Sequence, residues 1–343
     1  MSRWVVVLAG GVGSRFWPLS TPARPKQLLP LVTATPLLRE TLDRLREVAD
    51  AAHTLILTNA SLVPAIRELA SEIPTDNIIA EPRPAGTAGA LTWAANHIAR
   101  RDPDGTMISV HADWSVGDPA SFCRALQRAA DLAEQQGALI TVGIVPSRPE
   151  TGFGYIAPGA VVEGDARRVD RFVEKPDAAT AELMVAKGYL WNSGIFVWRV
   201  GDFLDEVRAL TPEVAPALAA HPNDIGTFFG AVQSIAVDVG VLERSRRVLV
   251  IPGEFGWDDV GTWAALRRVR ALDAHGNAAV GPAFAVDAAG NVVHAEGGDV
   301  VLFGVSNLIV VSRPGLTLVT TMEDAANLKT LIERLPAEVR ERA

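Results

Sequence analysis

Three glycines in four positions, Gly10, Gly11 and Gly13, follow the apolar run Trp4–Leu8, and two cations, Arg15 and Lys26, stand close behind them. Glycine lets a backbone turn sharply and expose successive N–H groups, a concavity that suits anionic oxygens. A plain glycine turn that merely ends a strand is the alternative, and the attached cations favour the anion site. A P-loop would close with Gly-Lys-Ser/Thr, and a dinucleotide fingerprint would open a helix with a third glycine. Arg15-Phe16-Trp17-Pro18 stands there instead, and Pro18 disfavours a long helix directly after the loop.

Carboxylates recur at two distant places. Asp113, in His111-Ala112-Asp113-Trp114, follows the apolar run Met107–Val110, and Asp258-Asp259 lie between Trp257 and Gly261. Carboxylate oxygens suit Mg²⁺, which takes one or two of them and completes its shell with water and phosphate. The plainer role for Asp259 is N-cap of the following helix. His111 has no second histidine at ligand spacing, which argues against zinc. Glu174 and Lys175 end a strand on opposite faces, with Pro176 favouring an extended backbone at the lysine; a solvated charge pair is the alternative. Asn192, in Trp191-Asn192-Ser193-Gly194, offers an amide to a polyol or marks a β-bulge. Gly152 and Gly154 form a second glycine-rich turn. Glu81 to Ala88 form a third, in which Thr87 is either a helix N-cap or a ligand contact. Trp17 and Trp114 read as packing residues, with stacking on a base as the alternative.

The elements that must position these groups are legible in the pattern. Strand-like runs at 4–8, 54–58, 77–80, 106–110 and 138–145 alternate with helical patterns at 36–49, 61–71, 87–100 and 119–136, the mark of βαβ units around a parallel sheet. Ligands of such sheets sit at the carboxyl ends of the strands, where the glycine loop and His111–Trp114 both fall. From about 150 to 260 the pattern loosens into short strands around Arg168–Val173, Leu190–Trp198 and Val248–Ile251, read as a substrate lid over the sheet. A helix-like Gly261–Leu272 leads to the turn cluster Asp273–Asn277. Beyond it, Ala279–Val319 carries short β segments with irregular glycine spacing and no solid repeat, and a final helix is expected from Glu323 to Leu335. The expected division is a catalytic domain at 1–272 and a β domain with a terminal helix at 273–343.

Composition bounds the rest. The 343 residues are 48% hydrophobic and 21% charged, with 32 basic against 40 acidic side chains and a net charge of −8. That balance argues against a nucleic-acid surface, so phosphate binding must be local. No apolar run is long enough to span a bilayer and no secretory leader is evident, so a soluble cytoplasmic protein is expected. The single Cys123 excludes an internal disulfide framework and a cysteine-built zinc site. Oligomeric state is not readable from the sequence; a homodimer is the commonest symmetric assembly.

In order along the chain, LAGGVGSRFWPLS, TPARPKQLLPL, EPRPAGTAGA, HAD, TGFGYI, FVEKP, WNSGIF and GEFGWDDVGTW resemble the sugar nucleotidyltransferases. Pro25-Lys26-Gln27 before Leu28-Leu29, together with Trp257–Gly261, favours their mannose- and GTP-using branch. The resemblance implies an α/β fold, a Rossmann-like (GT-A-like) mixed, mostly parallel sheet with a small C-terminal β-helix-like domain. It implies Mg²⁺-assisted transfer of GMP from GTP to α-D-mannose 1-phosphate, by in-line attack of the sugar phosphate on the α-phosphorus. By resemblance, Leu8, Gly10, Gly11, Gly13, Glu81, Gly86 and Thr87 address the nucleotide, and Arg15 and Lys26 neutralise charge. Asp113 and Asp259 hold the metal, while Gly154, Glu174, Lys175 and Asn192 address the sugar phosphate. His111 and Trp114 depart from the family's usual Pro-Ala-Asp-His, and Ser14 stands where threonine is frequent. The isomerase domain of long bifunctional relatives is absent, so transferase activity alone is expected. Another sugar 1-phosphate, such as a manno-heptose or glucose phosphate, another nucleotide, or a silent sugar-nucleotide-binding regulator remain the alternatives.

Overall fold

The computed structural model describes residues 2–11 and 14–340, so Gly13 lies outside the described residues. The chain forms two compact units. The first comprises Met1–Gly10, Arg44–His111 and Asp118–Phe255, and is built on a nine-stranded sheet. Its strands are β1 (Arg3–Leu8), β2 (Thr54–Asn59), β3 (Ile78–Glu81), β4 (Thr106–His111), β5 (Leu139–Ile144), β6 (Tyr155–Glu163), β7 (Ala166–Val173), β8 (Leu190–Arg199) and β9 (Val248–Gly253). They lie in the order β3-β2-β1-β4-β8-β5-β9-β7-β6. β1 is parallel to β2 and β4, β2 to β3, and β9 to β5, whereas β8 runs antiparallel between β4 and β5. The Val5-Val6-Val7 run of β1 is fully buried, as a central strand covered on both faces requires.

The helices follow the expected pattern with trimmed ends. Gly86–Ala99 presents Ala88, Leu91, Ala94, Ala95 and Ile98 to the core. Pro119–Gln136 starts where Asp118 accepts the Ser121 N–H at 3.0 Å and stops at Gly137, whose φ of 58° suits glycine. Cys123 packs in this helix, its thiol donating to the Arg44 carbonyl. The expected lid is not a separate layer: β7, β8 and β9 are members of the main sheet, and β8 fills the gap between β4 and β5. Among the described residues, no helix is long and apolar enough to cross a membrane.

The second unit comprises Gly11–Asp43, Ala112–Gly117 and Gly256–Ala343. Its core joins Phe16, Trp17, Leu19 and Leu29 to Trp263 and Leu266, and these to Val292, Ile309 and Val311. Among the described residues, a 3₁₀ turn, Ser14–Phe16, and no long helix lies between the glycine loop and Pro18, as expected. The helix expected at Gly261–Leu272 is a 3₁₀ turn (Trp263–Ala265) and one short helix (Leu266–Val269), because Arg270 turns extended. The terminal helix likewise begins as a 3₁₀ turn (Asp324–Asn327) before Leu328–Arg334.

The C-terminal strands are β10 (Ala278–Val280), β11 (Ala283–Val286), β12 (Val292–Ala295), β13 (Val300–Phe303), β14 (Leu308–Arg313) and β15 (Leu316–Thr321). β10, β12 and β14 stack in parallel, as do β11 and β13, and β15 closes the stack antiparallel to β14. The coils do repeat, contrary to the sequence reading. Left-handed backbone at Gly276, Gly290 and Asn307 precedes the three stacked rungs. The Asn277 side chain accepts the Asn291 N–H at 2.9 Å, and the Asn291 side chain accepts the Leu308 N–H at 2.9 Å. Unequal coil lengths hide this ladder from a search for constant spacing. Asn291 is fully buried and its amide also donates to Asn277 and the Val305 carbonyl. Asn291→Ala orphans those partners and is expected to lower unfolding free energy by ~3 kcal/mol; an unchanged urea midpoint would refute the ladder's role.

Candidate active site

Lys26 opens a 3₁₀ turn, Lys26–Leu28, behind Pro25. Its side chain is only 7% exposed, and an ammonium buried to this degree needs oxygen partners. It finds two: Nζ lies 3.1 Å from Asp113 Oδ2 and donates to the Asp259 main-chain carbonyl at 2.5 Å. Residues 26, 113 and 259 thus meet within the second unit. Arg15 is exposed and reaches the Gly261 carbonyl at 3.4 Å.

The two adjacent acids have different partners. Asp258 is buried and paired with Arg268, at 2.8 Å to Nε and 3.1 Å to Nη2, and it accepts the Val260 N–H. Asp259 accepts the Gly261 N–H at 3.1 Å, and burial pushes its pKa upward against the pull of Lys26. The N-cap reading of Asp259 is corrected: Thr262 caps the following turn, accepting the Ala265 N–H. Val260 between them has a φ of 48°, a cost that a β-branched residue bears only where its surroundings fix it.

Side chains distant in sequence hold the segment that carries Lys26. Arg313 donates to the Pro18 carbonyl at 2.8 Å, Trp263 to the Trp17 carbonyl at 3.2 Å and Arg270 to the Leu31 carbonyl at 2.7 Å. Burial pushes the Arg270 pKa down to about 9, and its guanidinium also donates to the Val293 carbonyl. Sequence reasoning passed over Arg270 and Arg313, because nothing local marks an arginine as a strut. Trp17 and Trp114 are buried, and Trp114 packs edge-on against Trp257, as expected of packing residues.

The first unit carries the other candidates at the carboxyl edge of its sheet. Leu8 ends β1 between Leu57 and His111, and the next residue, Ala9, donates its N–H to the Leu57 carbonyl. A Cβ on Gly10 would stand 3.8 Å from Glu81 Oε1, at the end of β3. Burial pushes Glu81 up to about 7. Gly86 opens its helix with a φ of 75°, and a Cβ there would lie 2.2 Å from the Ile235 carbonyl, so only glycine fits. Thr87 is not an N-cap of its own helix; its hydroxyl accepts the Val237 N–H at 2.9 Å. Gly11, assigned to the second unit, is exposed and a Cβ on it would meet nothing within 4 Å.

Gly154, Glu174, Asn192 and Asp238 stand together in the first unit. Gly154 accepts the Asn192 N–H at 2.8 Å, and a Cβ on Gly154 would lie 2.8 Å from Glu174 Oε2. Asn192 sits at an irregularity in the β5–β8 register, so the bulge is real and the amide stands at its edge. The expectation of an extended Lys175 facing away from Glu174 is corrected. Lys175 has a φ of 42°, which curls its ammonium back to 2.7 Å from Glu174 Oε1. Both side chains are about two-thirds exposed, at 64% and 66%. Asp238, which the sequence reading passed over, accepts from the Asn192 amide at 2.8 Å. The available signal was a lone acid inside the apolar run Ile235–Leu242.

Comparison with known proteins identifies the family. Residues 4–276 match the nucleotidyl transferase family model, and residues 281–335 match the MannoseP isomerase/GMP-like beta-helix domain. The chain belongs to the nucleotidyl transferase family. Within it, the chain is 36% identical to the mannose-1-phosphate guanylyltransferase of Escherichia coli K12, over 98% of this chain and 74% of the relative. It is 34% identical to the mannose-1-phosphate guanylyltransferase of Klebsiella pneumoniae, over 96% and 73%. The crystal structure of a Thermus thermophilus protein named mannose-1-phosphate geranyltransferase superposes with a TM-score of 0.91 at 34% identity, covering 97% of this chain and 99% of that one.

The raised pKa of Glu81 has a defined sign. Between the ordinary 4.5 and about 7 the folded state binds more protons than the unfolded state, so this group's stabilising contribution falls as pH rises through that window. Glu81→Gln is expected to change little at pH 5 and to stabilise the protein by ~2 kcal/mol at pH 8. Urea titrations at the two pH values check this, and a difference between the proteins that does not widen toward pH 8 counts against it.

Proposed function

We propose that the protein transfers the GMP of GTP to α-D-mannose 1-phosphate, releasing pyrophosphate and forming GDP-mannose. A phosphate oxygen of the sugar phosphate attacks the α-phosphorus, and the bond to the β-phosphate oxygen breaks in line. The attacking monoester is largely dianionic near neutral pH, its second pKa lying near 6, so no side chain has to remove a proton from it. Catalysis then rests on positioning and charge neutralisation. The observation that carries this reading is the buried Lys26 ammonium on Asp113 and the Asp259 carbonyl, a fixed cation among oxygen donors. Arg15, with Leu8, Gly10, Gly11 and Gly13, addresses the nucleotide phosphates. Glu81, Gly86 and Thr87 address the base, and Gly154, Glu174, Lys175 and Asn192 the sugar phosphate.

The residues present fit a divalent cation. Asp113 and Asp259 offer hard carboxylate oxygen, and the Asp113 carboxylate lies 3.1 Å from the Lys26 ammonium; such donors suit Mg²⁺ above softer metals. Among the described residues no group of three or more His, Cys, Asp or Glu stands ready for a metal, so substrate phosphates and water would complete the shell. When bound, Mg²⁺ neutralises charge developing on the phosphate oxygens.

The assignment of 1–272 to the catalytic domain and 273–343 to the β domain is supported by the two family matches, although the compact units divide the chain differently. We place the action in the cytoplasm, because its charged substrates do not cross a bilayer unaided. A homodimer is supported by the exposed apolar side chains Phe284, Val286, Val301 and Phe303, which neighbour one another on the paired strands β11 and β13.

Pyrophosphate release, measured across nucleoside triphosphates and sugar 1-phosphates with and without Mg²⁺, tests the reading. Release is expected to be fastest with GTP and mannose 1-phosphate and to need the metal; preference for another pair would overturn it. Asp113→Asn and Asp259→Asn should each lower turnover by at least ~100-fold, the scale of a lost transition-state charge contact. Near-normal turnover in folded variants would remove both from the metal assignment.

A further inference from the structure

We propose that Asp238 is a positioning residue for the sugar subsite, fixing the Asn192 amide in the one orientation that reads the hexose hydroxyls. The proposal rests on the sugar-phosphate reading above and names a residue that reading lacks.

Both ends of the Asn192 amide are engaged. Nδ2 donates to Asp238 Oδ1 at 2.8 Å, and Oδ1 accepts the Gly194 N–H at 3.2 Å. A backbone N–H only donates, so a flipped amide would set donor against donor at Gly194. The main chain is pinned as well, since the Asn192 N–H donates to the Gly154 carbonyl at 2.8 Å. One Nδ2 hydrogen and one Oδ1 lone pair then remain, in fixed directions, on a residue that keeps part of its surface open to solvent. A donor and an acceptor side by side match the complementary pattern of a vicinal diol. The Glu174 carboxylate beside Gly154 adds further acceptor oxygens to the same group.

Asp238 is itself held by unusual backbone. It opens a π-helical turn, Asp238–Leu242, a rare conformation that recurs at functional sites. The preceding Val237 is tied to Thr87, and the Gly240 carbonyl accepts from the Thr211 hydroxyl at 2.8 Å. The turn therefore presents one carboxylate, partly exposed, from an otherwise apolar segment directly to the Asn192 amide.

Steady-state kinetics on the full chain test this. The wild type is measured first, and failure to release pyrophosphate with any sugar 1-phosphate would refute the functional reading independently of Asp238. With an active wild type, Asp238→Ala is expected to raise the KM for mannose 1-phosphate by about tenfold, the scale of one hydrogen bond. The KM for GTP and the Tm should stay near wild type. Asp238→Asn, isosteric and still able to accept, should recover most of the loss. Should Asp238→Ala not fold, Asp238→Leu, similar in size but unable to accept from the Asn192 amide, carries the test with the same selective rise expected. An unchanged KM for the sugar phosphate, or equal rises for both substrates, would overturn the proposal.

Discussion

Burial of the Lys26 ammonium against Asp113 and the Asp259 carbonyl sets the terms for the second unit. A lysine so enclosed is stable only while its oxygen partners stay in place, because an enclosed ammonium without them has lost its water and gained nothing in return. Much of the surrounding structure keeps them there. Arg268 pairs with the neighbouring Asp258, and the Asp259 carboxylate accepts the Gly261 N–H. The left-handed Val260 makes the turn that follows the two acids. Arg313 and Arg270 hold the carbonyls of Pro18 and Leu31, on either side of Lys26 in the chain. The C-terminal coils are thus more than an appendage, because Arg313 on β14 and the Val293 carbonyl on β12 help to fix the backbone that carries the buried cation.

The proposed reaction asks little else of the protein. A nucleophile that arrives ionised needs neither a base nor a covalent relay, and the described side chains are arranged to hold charge. The first unit contributes in a different way. Its sheet edge carries a desolvated carboxyl at Glu81, a helix start that only Gly86 can occupy, and the Gly154, Glu174, Asn192 and Asp238 group. At Asn192 the backbone fixes the polar group, with Oδ1 accepting the Gly194 N–H and the residue's own N–H donating to the Gly154 carbonyl.

The sheet was largely legible in the sequence because βαβ periodicity is local. Apart from β6, whose Pro158 and Gly159 break its apolar run, the strands of the main sheet fall where strands were expected, and the first four helices match the expected patterns. Pairing between distant strands was not legible, which is why β7, β8 and β9 read as a lid. Lys26, Asp113 and Asp259 were singled out by residue type beside strand ends and by family resemblance, and the structure brings them together. Lys175 was misjudged because the preference of a residue before proline is statistical, and its ion pair with Glu174 accompanies a left-handed backbone instead. Asp238 and Arg313 were missed for a common reason: their partners are far away in the chain, and no local pattern encodes a contact at that range.

The most direct test of the central claim is turnover of Lys26→Met, which keeps the length and apolar stem of the side chain but removes its charge. Pyrophosphate release by this variant is expected to fall by ~1,000-fold, the upper range for losing one preorganised charge contact, while the fold persists by circular dichroism. Turnover within a few-fold of wild type would contradict the account, since the buried cation would then be structural filling and not part of the chemistry.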